Sequence, residues 1–170
     1  MTDATAEPGR VYRLMESSTE ANDAIEAVVA TARRELRIFD ASPRTLRMRG
    51  FGSPARVEVL RKLLLTNRTH QVRIALHDTR GIETELPRLV NLLANFSGQL
   101  QIHRTVDEAA EVHDVLIIAD DSDYWRKPHI DHPRSIVTLH SQADTKPFLD
   151  RFEEIWEKSE PAVSGSTAGL

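Results

Sequence analysis

Apolar residues recur along the chain in two alternating rhythms. Ile25, Val28, Val29 and Ala32 follow one another at i, i+3, i+4 and i+7, which places them on one face of a helix. Ser17, with Glu20 three residues on, predicts the helix start as a capping box. Leu36–Asp40 then reads as a short strand, and Ala41–Gly52, with Pro43, Gly50 and Gly52, as a loop. Ser53-Pro54 opens a second helix as an N-cap followed by proline, with Val57, Leu60 and Leu64 as its buried stripe. In His70–His77 the residues Val72, Ile74 and Leu76 alternate with polar neighbours, the period of a strand. A third helix carries Leu86, Leu89, Val90 and Leu93. Leu100 and Ile102 mark another strand, and Asp107–Glu111 a short helical turn. Val115–Ala119 is the most apolar strand of the chain, Ile136–Leu139 the last, and Phe148, Phe152, Ile155 and Trp156 stripe a closing helix.

Strands that alternate with helices in this way predict an α/β domain, a mixed and mainly parallel sheet between two helical layers. Residues 1–10 and 160–170 are rich in small residues and turn formers. They are expected to be flexible ends around one domain over 11–159. In such sheets ligands bind beyond the carboxyl ends of the strands, and Asp40, His77, Asp78, Arg104 and Asp120 all fall at predicted strand ends.

The chain has no cysteine, which excludes disulfides, thiol nucleophiles and Cys-ligated metal sites. No apolar run is long enough to span a bilayer, and the first residues lack the order of a signal peptide, so a cytoplasmic location is expected. The net charge of −4 conceals a polarity along the chain. Residues 33–80 carry twelve basic and four acidic groups, whereas residues 81–170 carry eight basic and sixteen acidic ones. Either the two halves neutralise each other within one fold, or the first half presents an anion-binding face. Arg44, Arg47 and Arg49, in the loop after the first strand, are the candidate phosphate ligands, because guanidinium groups bind phosphate bidentately.

No glycine-rich nucleotide loop, nucleophile elbow or zinc-protease pattern is present. His129-Ile130-Asp131-His132, with nearby Asp123, offers imidazole and carboxylate groups to a divalent ion. Pro128 and Pro133 oppose the helix that this histidine spacing needs. No metal and no cofactor are therefore expected.

The segment His113-Asp114-Val115-Leu116-Ile117-Ile118-Ala119-Asp120 resembles the H-x-K-x4-D motif of the phospholipase D superfamily. His113 and Asp120 are in place, and Val115 stands where the lysine belongs. The closing helix, Phe148-x3-Phe152-x3-Trp156, is similar to that of many members, and the resemblance runs from about Ser17 to Ser159. It implies a histidine nucleophile that forms a phosphohistidine, a second motif histidine that protonates the leaving group, and lysines that hold the phosphoryl oxygens. It also implies a homodimer, with His113 of two chains near the two-fold axis, since single-motif members build one site from two subunits. Here the lysine is missing, and Asp121-Ser122-Asp123-Tyr124-Trp125 replaces the small Gly/Ser and Asn residues that usually follow.

The expected function is thus a non-catalytic phospholipase D-like module that binds a phosphate-bearing ligand, through His113 and the three arginines, or a partner protein. The alternative is a phosphodiesterase or nuclease, with His113 and Asp120 catalytic and an arginine in place of the lysine. A nucleic-acid-binding accessory protein is the third, opposed by the net acidity and the few aromatic residues.

Overall fold

The computed structural model describes residues 7–164. The elements follow in the order β1 (Val11–Met15), α1 (Ser18–Thr31), β2 (Glu35–Asp40), α2 (Pro43–Leu46), α3 (Pro54–Thr66), β3 (Gln71–Leu76), α4 (Ile82–Glu85), α5 (Pro87–Asn95), β4 (Leu100–Thr105), β5 (Val115–Ala119), β6 (Asp123–Lys127), β7 (Ser135–Leu139), α6 (Gln142–Glu157) and β8 (Ser159–Val163). The strands form one mixed sheet in the order β1-β7-β6-β5-β2-β3-β4-β8. β2, β3 and β4 pair in parallel, and the other neighbours are antiparallel.

The parallel strands need crossovers, and α3 and α5 supply them on one face. There the apolar sides of α1, α3 and α5 pack on Leu36, Ile38, Ile74, Ile102, Val115 and Ile117. The other face carries α6, whose Phe152 and Ile155 cover Phe39, Ala75, Leu116 and Ile118. β5 is therefore buried on both sides, which explains its unbroken apolar run. The aromatic stripe of the closing helix is core, and no helix among the described residues is long and apolar enough to cross a membrane.

Three expectations are corrected. The stretch expected as a loop over Ala41–Gly52 is largely helical: α2 runs into a π-helical turn at Arg47–Phe51, which ends through Gly50 at φ 96°. Ser42 caps it by accepting from Thr45 N at 3.3 Å, and Pro43 sits in its first turn, so this start uses the same chemistry as Ser53-Pro54. The C-terminal segment expected to be flexible contributes β8, an edge strand on β4 with a bulge at Ile102/His103. Residues 7–10, also expected to be flexible, are tied down: the Glu7 carboxylate accepts from Gln142 N at 2.8 Å and Ala143 N at 3.0 Å, and Arg10 pairs with Asp144. Residues 1–6 and 165–170 lie outside the described residues.

Candidate functional site

Because β5 runs antiparallel to β2, its start lies beside the carboxyl ends of β2, β3 and β4. His113, just before β5, therefore stands at the end of the sheet that also holds Asp40, His77 and Arg104. Asp120, just after β5, stands at the opposite end. The expectation that Asp120 joins the other strand ends is thereby corrected, for a reason of strand direction.

Asp120 has a backbone role there. Its Oδ2 accepts from Arg33 N at 3.0 Å, and its Oδ1 accepts from Arg34 N at 2.9 Å and Glu35 N at 3.0 Å. Its own C=O accepts from Arg37 Nη1 at 2.8 Å. The carboxylate thus satisfies the amides of the turn that joins α1 to β2, and Asp120 adopts φ 53° to do so.

At the other end His113 is exposed. Its ring centroid lies 6.4 Å from that of His77 and 6.4 Å from that of His129, and its C=O accepts from Ile130 N at 2.9 Å. His77 is fully engaged: Nε2 donates to Val112 O at 2.6 Å, so in the neutral ring Nδ1 accepts from the Thr105 hydroxyl at 2.6 Å. Asp114 is buried in a bidentate pair with Arg151, at 3.0 and 2.8 Å, with Arg126 3.6 Å away. Val115, in the lysine position of the motif, is wholly buried in the apolar core.

The three candidate arginines are directed apart. Arg44 is exposed and makes no ion pair among the described residues, and Arg47 pairs with Glu85. Arg49 turns inward: its Nε lies 2.7 Å from the fully buried carboxylate of Asp40, and its guanidinium lies 5.2 Å from the centre of the Trp125 ring. The His129 and His132 rings meet at a tilt of 48°, with centroids 4.8 Å apart. Asp123, paired in sequence reasoning with those histidines, is buried elsewhere, accepting from Ser122 Oγ at 2.7 Å and His140 N at 2.9 Å. Among the described residues no group of three or more histidines and carboxylates could hold a metal ion.

Sequence reasoning missed one arrangement at this end. A cavity of about 190 Å³ lies between α1 and the β6–β7 pair. Arg49, Trp125, Lys127 and Ser135 line its floor, and Ser18 and Asn22 in the opening turns of α1 line its side. Lys127 is the direct cross-strand partner of Val115, so the two side chains share a face of the sheet. Partial burial, followed by the nearby charge of Arg49, lowers the Lys127 pKa below its ordinary value. The local sequence of β6, Asp-Tyr-Trp-Arg-Lys, has no period-two alternation to announce a strand.

The fold is that of the phospholipase D family. A family member, Nuc from Salmonella typhimurium, is 15% identical and superposes with a TM-score of 0.61 over 91% of this chain and 99% of its own. NucT from Helicobacter pylori is 11% identical, with a TM-score of 0.58 over 90% of this chain and 99% of its own. TrmBL2, an archaeal chromatin protein with a novel mode of DNA binding, is 14% identical, with a TM-score of 0.63 over 94% of this chain and 57% of its own. None of the curated proteins matches the sequence. A family model does match, over residues 17–164, and by that match the chain belongs to the family DUF7931, a domain of unknown function.

Proposed function

We propose that this chain is a phospholipase D-fold module that binds a phosphate-bearing anion at the carboxyl end of β2–β4 without hydrolysing it. The observation that carries this reading is Val115, fully buried among apolar side chains where the motif supplies a cation. Phosphoryl transfer accumulates charge that fixed cations must meet, and losing one preorganised donor costs on the order of 10²–10³ in rate. The cations on either side of His113 are also committed. Arg151 and Arg126 serve the buried Asp114, and Arg49 serves Asp40. His77 has no nitrogen left for a leaving group.

The test is hydrolysis of an aryl phosphodiester and of single- and double-stranded DNA, with and without a divalent ion, beside His113→Ala. No turnover dependent on His113 is expected, together with a rise in Tm on adding phosphate, as mass action requires of a ligand that binds the folded state. Turnover that disappears in His113→Ala would replace this reading with a phosphodiesterase.

A further inference from the structure

Four observations meet in the cavity between α1 and the β6–β7 pair. Trp125 and Ser135 line it, and their Nε1 and Oγ are buried with no hydrogen-bond partner among the described residues, although such atoms are rare in native interiors. Lys127 makes no ion pair among the described residues, and burial, then the charge of Arg49, lowers its pKa against the opposing charges of Asp40 and Asp131; an anion beside it would relieve both penalties. Arg49 directs Nε and Nη2 to Asp40, which leaves its Nη1. Among the described residues no aspartate or glutamate lines the cavity, although Arg49 brings its pair with the buried Asp40. The wall is therefore rich in donors and cations, and α1 turns its positive end towards the same space.

We infer that this cavity is the anion site, and that it holds the phosphate of a small phosphomonoester between Lys127, Arg49, Trp125 Nε1 and Ser135 Oγ. The inference rests on the anion-binding reading above and locates it on the α1 face of the sheet, in a cavity that His113 does not line. A phosphomonoester is favoured for its oxygens: the dianion meets Lys127 and the Nη1 that Arg49 keeps beside its pair with Asp40, and it presents three terminal oxygens to the surrounding donors. About 190 Å³ accommodates a phosphate with a short organic arm, for which Met48 and Ile130 supply apolar contact. A diester must leave the cavity in two directions and offers one charge.

The probe is glycerol phosphate, followed by the rise in Tm and by calorimetric titration. Inorganic phosphate, glycerate, a dialkyl phosphate and uncharged glycerol are run in parallel. The variants are Lys127→Met, Ser135→Ala, Trp125→Phe and His113→Ala, each first checked for Tm without ligand. Glycerol phosphate should bind more tightly than glycerate or the diester. Lys127→Met should weaken it on the order of tenfold or more, as loss of a charged hydrogen bond does. Ser135→Ala and Trp125→Phe should weaken it by less, and His113→Ala should leave it intact. Two small deletions at separate positions keep the test decisive if Lys127→Met folds poorly. Binding lost in His113→Ala but retained in the other three would overturn the cavity assignment and leave the anion-binding reading standing. Equal binding of glycerate would overturn the choice of phosphate. Absence of any anion binding by the unaltered protein would overturn both readings.

Discussion

Replacing Asp120 with alanine tests whether the aspartate of the motif serves chemistry or architecture. Its carboxylate accepts three backbone amides, at 3.0, 2.9 and 3.0 Å. Hydrogen bonds to a charged partner contribute about 1.5–3 kcal/mol each in isolation. Asp120 is half-buried, so water recovers part of that for the stranded amides. The expected cost is about 2–4 kcal/mol. For a chain of this size each kcal/mol lowers Tm by about 2–4 °C, which gives a fall of roughly 5–15 °C. The left-handed backbone at φ 53° adds a second signature. Glycine adopts it freely, so Asp120→Gly should be more stable than Asp120→Ala by about 1 kcal/mol despite losing the same carboxylate. Asp120→Asn keeps one accepting oxygen and should lose least. Urea unfolding of the four proteins at pH 7, with glycerol phosphate binding measured in parallel, reads both effects. The reasoning is refuted if Asp120→Ala unfolds within about 1 kcal/mol of the unaltered protein, or if it retains stability and loses the ligand.

Arg49→Met strips the counterion from the fully buried Asp40 and should cost about 3–5 kcal/mol in urea unfolding, with Asp40→Asn added to it recovering part of the loss. Val115→Lys should unfold several kcal/mol more easily and gain no phosphodiester hydrolysis, because position 115 is fully buried in an apolar core. His103 stacks on Trp156 and bonds Ser159 Oγ, and burial, then the charge of Arg73, depresses its pKa. Its neutral form thus supports the fold above the ordinary histidine pKa of about 6.5. That contribution is lost as pH falls below this value towards the depressed one, so Tm of the unaltered protein should drop more steeply from pH 7 to 5 than that of His103→Gln.

What was legible in the sequence followed from burial. β5 is covered on both faces and therefore reads as five apolar residues in succession, and α6 places Phe152 and Ile155 in the core at helical spacing. The strands that escaped are held by pairing more than by packing. Val11, Tyr12 and Leu14 of β1 are exposed on an edge, and β8, Ser159–Val163, contains Pro161 and gains its place through β4. In α2 the signal was present, since Ser42-Pro43 repeats Ser53-Pro54, but Gly50 and Gly52 outweighed it. The candidate site was half legible. His113 and Val115 are visible in one segment, but the opposition of Lys127 to Val115 is a register between strands, and a register is decided by the turn and the core, which no local pattern records.

That register bears on the proposed reading of a phospholipase D fold that binds without turnover. Directly opposed residues in an antiparallel pair have Cβ atoms about 4.5–5.5 Å apart, so a cation placed at 127 instead of 115 remains at the same end of the sheet but is displaced by one strand. In the motif the nucleophile and the cation sit two residues apart on one strand, a spacing that serves a single phosphorus atom. Here His113 is exposed beside His77 and His129, whereas Lys127 lines the α1 cavity with Trp125 and Ser135. On the proposed reading the displacement separates charge recognition from the imidazole that would attack. Restoring turnover by design would then require both groups on one strand, and β5 does not allow it, because Val115 holds a fully buried place in the core.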